Sequence, residues 1–458
     1  MSDLKVPNYI LKEANKWLQK PYDKETQQEI HKLLQSNPKQ IIDAFFRNIA
    51  FGTGGLRGLM GVGTNRINIY TIQKTTQGLA NYILEKKINN PKVFISFDSR
   101  VNSKVFAQEA AKVLAGNNIN VLITDSLRPT PLVSFGCRHY HCCAAIMITA
   151  SHNPAEYNGY KVYWSDGGQV VPPHDKEIIN HVNQVQDIST VKIAEPTHPL
   201  IEFASQKTDN AYLGTINQLQ NFPEVNKKNG DKLSIIYSSL HGCGIELIPQ
   251  ALSEWGFTNL SVVLKQANPD GSFPTINTPN PEQSEALELG INQLEKEQKD
   301  IFIASDPDAD RLGVVALHKN IHYTFTGNQI AAICLYYLCS VKKLSKNHAC
   351  ITTIVTTELL KEIARSFDIQ YVEVLTGFKY IGEIITEWES SKDHKFLFGA
   401  EESLGYLYGD HARDKDAVVS SCLIAEIALY LKLKDMTLVD YLEEIYAKKY
   451  IKSLRKFM

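Results

Sequence analysis

The chain has 458 residues, enough for about three domains of ordinary size. A hydrophobic fraction of 43% with 21% charged residues is typical of globular proteins and excludes general disorder. The 48 basic and 50 acidic side chains leave a net charge of −2, so the composition offers no polyanion-binding surface, and nucleic acid is not an expected partner.

The sequence shows no sign of secretion or of membrane insertion. Its eight cysteines form no C-x-x-C pair and no zinc-site spacing, which indicates reduced thiols in the core. Residues 1–18 lack the apolar segment of a signal peptide, and no stretch approaches the roughly 20 apolar residues of a membrane span. We therefore expect a cytoplasmic protein with no membrane partner.

The first predicted elements are amphipathic helices in a leader over residues 1–45, where Ile30, Leu33, Ile41 and Phe45 are spaced among charges. From residue 46 onward, short apolar runs rich in β-branched residues alternate with helical patterns, as in α/β sheets. Such runs lie at 93–97, 121–124 and 144–149. The pattern restarts near residue 201, with runs at 233–237, 260–264 and 301–305. It restarts again near residue 323, with runs at 349–355, 370–374 and 395–399 and a helix over 416–433.

The sequence thus predicts three tandem α/β domains, with mixed sheets flanked by helices around a central cleft. Their predicted limits are 46–200, 201–322 and 323–450. In each domain an apolar run ends in a polar loop, at 149–154, 306–311 and 401–405. Because open α/β sheets bind ligands beyond the carboxyl ends of their strands, we expect these loops to meet in one cleft.

The first of these loops, T-A-S-H-N-P, places Ser151 and His152 at the exit of a predicted strand. A serine there could carry a covalent group, although Ser, Asn and Pro are also ordinary turn residues. A serine hydrolase fits less well, because no G-x-S-x-G elbow surrounds Ser151.

The second loop, D-P-D-A-D-R, puts Asp306, Asp308 and Asp310 at alternating positions. Adjacent carboxylates repel one another unless a cation lies among them, and such hard oxygen ligands suit Mg²⁺. A calcium loop is excluded by the spacing, since the sixth position holds Arg311 in place of glycine. A solvated acidic turn is the alternative interpretation.

The third loop, E-E-S-L-G, offers Glu401 and Ser403 as partners for sugar hydroxyls and is equally typical of a helix-capping segment. Arg413 and Lys415 follow it, placed either for phosphate oxygens or for a surface salt-bridge cluster. A glycine-rich segment at 52–58, which includes Arg57, could hold a phosphate on its backbone amides or form a simple turn. It lacks the Walker lysine, so an ATP-dependent kinase is not indicated.

Together and in this order, the four motifs resemble those of the α-D-phosphohexomutase superfamily, in particular its phosphoglucomutase and phosphopentomutase branch. The resemblance extends from about residue 51 to 416 and matches the family's opening, phosphoserine, metal and sugar-recognition loops. It implies an isomerase that moves phosphate within a sugar. A phosphoserine gives its phosphoryl group to a sugar monophosphate, the sugar 1,6-bisphosphate turns over, and its other phosphate returns to the serine.

The resemblance also implies roles for individual residues. The phosphoserine is Ser151, and Mg²⁺ is held by its phosphate together with Asp306, Asp308 and Asp310. Charge stabilisation or proton transfer is implied for Arg57, His152, Lys161 and Lys415, and substrate binding for Arg311, Gly377, Lys379, Glu401, Ser403 and Arg413.

The substrate and the activity of the chain are open at this point. The E-E-S-L-G loop resembles the glucose version, so we expect interconversion of glucose 1-phosphate and glucose 6-phosphate. Mannose or pentose phosphates, or sugar-bisphosphate synthesis, are the alternatives. The superfamily has a fourth domain with an R-x-S-G-T loop that grips the distal phosphate, and we find no such loop. The resemblance implies that residues 451–458 begin the linker to this fourth domain, which we expect the chain to lack. A non-catalytic sugar-phosphate binder is therefore a further alternative.

Overall fold

Short helices precede the sheets. The computed structural model describes residues 5–52 and 55–457. Its leader consists of α1 (Asn8–Lys16), α2 (Lys24–Ser36) and α3 (Pro38–Phe45). Asp23 caps α2, because its Oδ1 accepts the N–H of Thr26 at 2.8 Å. The hydroxyl of Tyr70, which belongs to the first domain, donates to the same carboxylate at 2.6 Å and anchors the leader there.

The first domain is built on a seven-stranded sheet. Its elements are β1 (Phe51–Gly52), β2 (Gly55–Leu59), α4 (Ile69–Glu85), β3 (Lys92–Phe97), α5 (Ser103–Gly116), β4 (Asn120–Ile123), α6 (Thr130–His139), β5 (Ala144–Ile148), β6 (Tyr157–Trp164), α7 (His174–Gln184) and β7 (Ile201–Phe203). The strand order is β1-β2-β6-β5-β3-β4-β7. Strands β3, β4, β5 and β7 are parallel, whereas β6, β2 and β1 continue the sheet in antiparallel pairs. β7 therefore extends this sheet beyond residue 200, the predicted limit of the domain.

The second domain has a five-stranded sheet in the order β12-β11-β10-β8-β9. Its elements are α8 (Ser205–Asn217), α9 (Pro223–Asn229), β8 (Ile235–Ser238), α10 (Ile248–Glu254), β9 (Leu260–Val262), α11 (Leu264–Ala267), α12 (Ser284–Glu297), β10 (Ile301–Ser305), β11 (Leu312–His318) and β12 (Ile321–Thr324). Every residue of β10 is buried, as expected for a central strand that is covered on both faces. Short 3₁₀ turns lie at Ile188–Thr190, Gly230–Lys232 and Cys243–Glu246.

The third domain has a four-stranded sheet in the order β14-β13-β15-β16. Its elements are α13 (Gly327–Val341), β13 (His348–Thr353), α14 (Leu359–Ser366), β14 (Gln370–Val374), α15 (Phe378–Ser391), β15 (Lys395–Glu401), β16 (Gly405–Tyr408), α16 (Ala417–Lys432) and α17 (Leu438–Phe457). Asp416 caps α16 by accepting the N–H groups of Val418 and Val419 at 2.8 and 3.0 Å, so the helix begins where the sequence predicts. Within the part of the chain that the structure describes, no helix has both the length and the apolar character that a membrane span requires.

Three tandem α/β domains with mixed sheets confirm the predicted fold class. The glycine-rich segment differs from the predicted loop, because Gly55 to Gly58 lie in β2. Gly55 has φ +135°, and a Cβ built there would lie 1.9 Å from the carbonyl oxygen of Tyr160, so only glycine allows β2 to approach β6 this closely. Thr53 and Gly54 of the predicted loop lie outside the described residues.

Backbone hydrogen bonds join the three domains at the acidic loop of the second. The N–H of Thr130 donates to the carbonyl of Asp308 at 2.8 Å, which ties in the first domain. The N–H of Leu312 donates to the carbonyl of Leu404 at 3.0 Å, which ties in the third. The acidic loop is therefore held from both sides.

Candidate active site

The polar loops that follow β5, β10 and β15 line one cavity of about 400 Å³. All three domains contribute to it, as expected for the carboxyl ends of strands in α/β sheets. Of the predicted site residues, the cavity lining contains Arg57, Ser151, Lys161, Asp310, Arg311, Gly377, Lys379, Glu401, Ser403 and Lys415.

Ser151 faces the acidic loop from across the domain boundary. Its Oγ donates to Oδ2 of Asp306 at 3.0 Å and lies 3.1 Å from Nδ1 of His152. Its backbone is left-handed, with φ +51°, and its N–H donates to Oγ1 of Thr149 at 2.8 Å. This turn aims the hydroxyl at the carboxylates and away from its own sheet.

The three aspartates form a buried group that could hold a metal ion. Asp306, Asp308 and Asp310 each offer one oxygen, and these oxygens all lie within 4.8 Å of one another. Oδ1 of Asp308 and Oδ1 of Asp310 are buried without a hydrogen-bond partner. Buried oxygens without a partner are costly, and a hard divalent cation such as Mg²⁺ would satisfy them. The donor set therefore fits the predicted metal.

Charge is distributed unevenly over this group. Burial, together with Asp308 and Asp310, raises the pKa of Asp306 well above its usual range. Burial would also raise the pKa of Asp308, but the Lys161 ammonium at 2.8 Å, together with hydrogen bonds from Asp306 and Thr130, holds that pKa below its usual range. A bound cation would favour the ionised form of all three carboxyl groups.

Two buried lysines supply positive charge beside the aspartates. Nζ of Lys161 lies 3.0 Å from Oδ2 of Asp310, and Nζ of Lys415 lies 3.3 Å from the same oxygen and 3.1 Å from Oδ1 of Asp414. Burial opposes ionisation of both ammonium groups, yet the surrounding carboxylates raise both pKa values. Both lysines are therefore charged at neutral pH.

His152 is uncharged, in contrast to the two lysines. Burial and the nearby guanidinium groups of Arg311 and Arg57 lower its pKa to about 3. The imidazole is therefore neutral at pH 7, and its Nδ1 can share a hydrogen bond with the Ser151 hydroxyl.

The third domain forms the opposite wall of the cavity. Gly377 has φ +122° and donates its N–H to Oε1 of Glu401 at 3.0 Å, which joins the predicted substrate loop to the sugar-recognition loop. Burial raises the pKa of Glu401. Ser403 and Lys379 line the same wall, so this side presents a carboxyl, a hydroxyl and a cation to a ligand.

Arg413 is predicted as a substrate ligand, but the structure places it elsewhere. Its side chain is 1% exposed, and its Nη2 donates to Oε2 of Glu389 at 2.7 Å. Its Nη1 donates to the carbonyls of Asp410 and Ala412 at 2.7 and 2.9 Å. The guanidinium is thus bound within the protein, behind the loop that carries Lys415 into the cavity.

The structure adds site residues that the sequence interpretation omits. Thr130 donates its hydroxyl to Oδ2 of Asp308 at 2.8 Å, and Gln169 lines the cavity and donates to Asp414 at 2.7 Å. Arg100 lies beneath the Ser151 loop and donates to its backbone. A signal for Arg100 is present in the sequence, because D-S-R follows β3 in the same way as the other polar loops follow their strands.

Comparisons with known proteins cover most of the chain. Models described as phosphoglucomutase/phosphomannomutase alpha/beta/alpha domains I, II and III match residues 48–189, 210–319 and 326–449. A phosphoglucomutase of Staphylococcus aureus is 38% identical over 409 residues, which cover 88% of this chain and 72% of that protein. A phosphoglucomutase of Staphylococcus haemolyticus is 37% identical over 404 residues, which cover 88% of this chain and 73% of that protein.

Solved structures show the same fold. A phosphoglucomutase/phosphomannomutase family protein of Burkholderia thailandensis superposes with a TM-score of 0.69 at 16% identity, covering 86% of this chain and 79% of that one. The open form of the Paramecium phosphoglucomutase parafusin gives a TM-score of 0.68 at 18% identity, covering 87% and 74%. The chain belongs to the phosphoglucomutase/phosphomannomutase family.

Proposed function

We propose that the protein is a phosphoglucomutase, which interconverts glucose 1-phosphate and glucose 6-phosphate through a phosphoserine at Ser151. The observation that carries the proposal is the Ser151 hydroxyl, 3.0 Å from Asp306 and beside two aspartate oxygens without partners. The relatives that are 37–38% identical and named phosphoglucomutase support glucose as the sugar. The eight cysteines are all buried in the core, which supports a cytoplasmic location.

The proposed reaction moves one phosphoryl group in each half of the cycle. The bond between phosphorus and Ser151 Oγ breaks, and a phosphorus–oxygen bond to the sugar hydroxyl forms. The proton of that hydroxyl passes to Ser151 Oγ as this oxygen leaves phosphorus, and the neutral imidazole of His152, 3.1 Å from Oγ, orients the serine oxygen by a hydrogen bond. The resulting glucose 1,6-bisphosphate turns within the cleft, and its other phosphate returns to Ser151.

The cleft residues supply charge and orientation for this transfer. Lys161, Lys415 and Arg311 face the position of the phosphoryl group and stabilise the negative charge that spreads over its oxygens. A divalent cation such as Mg²⁺, held by the aspartates and a phosphoserine oxygen, would supply further positive charge there.

Sugar recognition is assigned to the third domain. Glu401 and Ser403 bind hydroxyl groups of the sugar, and Gly377 and Lys379 bind the remaining polar groups of the substrate. Arg57, which donates to Oδ1 of Asn153 at 3.1 Å, borders the cavity on the side of the first domain.

The test is a turnover assay with Mg²⁺, glucose 1-phosphate and a trace of glucose 1,6-bisphosphate, in which formation of glucose 6-phosphate is followed. We expect turnover by the native chain and none by Ser151→Ala. Mannose 1-phosphate and ribose 1-phosphate are assayed in parallel, and we expect slower turnover of both. Faster turnover of either would correct the substrate, while a chain that binds glucose 1-phosphate without turnover would be a sugar-phosphate binder.

A further inference from the structure

Arg100 is buried beneath the loop that carries Ser151. It follows β3, the strand beside β5, and its side chain is 0% exposed. Its Nη1 donates to the carbonyls of Pro154 and Tyr157 at 2.8 and 2.9 Å. Its Nη2 donates to the carbonyl of Ser151 at 2.6 Å and also to that of Asn153. One guanidinium therefore holds four carbonyls of a single short loop.

The charge of Arg100 is balanced without using these four bonds. Its Nε lies 3.4 Å from Oδ2 of Asp98, and neither atom has a hydrogen-bond partner. The other oxygen of Asp98 accepts the N–H of Arg100 at 2.9 Å and the hydroxyl of Ser103 at 2.7 Å. A buried charge needs such a partner, and the ion pair leaves the outer nitrogens of the guanidinium to the loop.

Arg100 also contacts the domain that carries the aspartates. Its Cζ lies 5.0 Å from the centre of the Phe273 ring, which belongs to the second domain. Next to this contact, a Cβ built on Gly271 would lie 2.3 Å from the backbone nitrogen of Val101, so the two domains are in close contact here. Arg100 therefore joins the Ser151 loop to the second domain.

We infer that Arg100 is a positioning residue for phosphoryl transfer, which fixes where Ser151 Oγ stands relative to the aspartates. This inference rests on the proposed phosphoserine function. The left-handed backbone at Ser151 is a conformation that side-chain-bearing residues rarely adopt, so the loop needs external support. Because Arg100 holds carbonyls and not the Ser151 side chain, the same bonds persist whether or not Ser151 carries phosphate.

The test is Arg100→Lys, since one ammonium group cannot serve four carbonyls in the geometry of a guanidinium. We expect kcat to fall on the order of 10²-fold, with an unchanged KM for glucose 1-phosphate, because misplacement of a reacting group by about 1 Å has that effect. The rate at which glucose 1,6-bisphosphate phosphorylates Ser151, followed by rapid quenching and mass spectrometry, should fall equally. If Arg100 only stabilised the fold, Arg100→Lys would lower the fraction of folded protein, and the folded molecules would keep the native kcat.

Arg66→Lys is the matched control. Arg66 is also buried and donates to the carbonyl of Asn65 at 3.0 Å and to the carboxylate of Asp43, in the leader. We expect this variant to keep the native kcat. Should Arg100→Lys not fold, Phe273→Leu takes its place, with a smaller fall in kcat and an unchanged KM expected.

Failure of the role proposed for Arg100 can be distinguished from failure of the proposed phosphoglucomutase function. Native kcat and a native rate of Ser151 phosphorylation in folded Arg100→Lys, or in Phe273→Leu where it replaces that variant, would overturn the role of Arg100. Absence of turnover and of Ser151 phosphorylation in the native chain would instead overturn the proposed function.

Discussion

Lys161 and Asp308 form an ion pair between the first two domains, with Nζ of Lys161 2.8 Å from Oδ2 of Asp308. Lys161 lies on β6, in the sheet from which the Ser151 loop emerges. The same ammonium lies 3.0 Å from Asp310, so one buried lysine compensates two carboxylates. The pair thus fixes the distance between the Ser151 loop and the acidic loop and keeps a positive charge at the cavity.

Replacing Lys161 by methionine tests this charge. The methionine side chain is similar in shape and one atom shorter, but Asp308 loses its cationic partner, and in the proposed reaction the phosphoryl group loses a donor. We expect kcat to fall by about 10²- to 10³-fold, the usual effect of removing one stabilising donor. The measurement is steady-state turnover of glucose 1-phosphate, with circular dichroism to confirm folding.

Lys432→Met is the control for Lys161→Met. Lys432 forms an ion pair with Asp300 at 2.6 Å, outside the cavity, and its side chain is 41% exposed. Its replacement should leave kcat unchanged. A native kcat in folded Lys161→Met would contradict the role given to Lys161.

Metal binding can be measured without activity. A ligand that binds only the folded chain stabilises it, by about 2.7 kcal/mol at one hundred times its Kd. We expect MgCl₂ to raise the Tm of the native chain and to have no such effect on Asp308→Asn. Asp209→Asn is the control, because Asp209 is buried and paired with Arg128 at 2.8 Å, away from the aspartate group. A Tm of the native chain that does not respond to Mg²⁺ would exclude this metal site.

Arg413 is expected to contribute to stability and not to substrate binding. Arg413→Gln removes a buried guanidinium and leaves the carbonyls of Asp410 and Ala412 without this donor, so the free energy of unfolding should fall by about 2 kcal/mol. The KM of the folded variant for glucose 1-phosphate should not change. Lys379→Met, which alters the cavity wall, should raise that KM. An Arg413→Gln variant of native stability and raised KM would restore the substrate role that the sequence predicts.

His174 gives a pH dependence of stability that is separate from the active site. Its Nδ1 lies 2.7 Å from the hydroxyl of Tyr82, and burial, followed by the charge of Lys86, lowers its pKa below the usual 6.5. The unfolded chain therefore binds the proton more readily, and stability falls as the pH drops below about 6.5. Urea unfolding should show this decrease between pH 7 and pH 5, with a shallower slope in His174→Gln. Equal slopes in the two proteins would show that His174 is not responsible.

Local sequence patterns predict most of the fold and the centre of the site. The runs at 301–305 and 370–374 coincide with β10 and β14, because short runs that contain β-branched or aromatic residues and end at loops are recognisable from neighbouring residues alone. The antiparallel strands β6, β11 and β16 are not predicted. In β6, the small Gly159 and the charged Lys161 are both buried. Lys161 is buried against Asp308, which is distant in sequence, so no pattern of neighbouring residues predicts this strand.

The direction of side chains in loops is also beyond local patterns. Arg413 and Lys415 are two residues apart, yet one is bound behind the loop and the other reaches the cavity. The D-S-R segment after β3 marks the position of Arg100, but its role is not readable from the sequence, because its partners are backbone carbonyls some fifty positions later in the chain.

The phosphoserine itself is tested by following the phosphoryl group. Glucose 1,6-bisphosphate labelled in its phosphates is incubated with the chain and Mg²⁺, and the label is located by mass spectrometry of peptides. We expect label on the peptide that contains Ser151, its release to glucose 1-phosphate on a chase, and none in Ser151→Ala. Turnover of glucose 1-phosphate with no label on Ser151, or equal turnover by Ser151→Ala, would contradict the proposed mechanism.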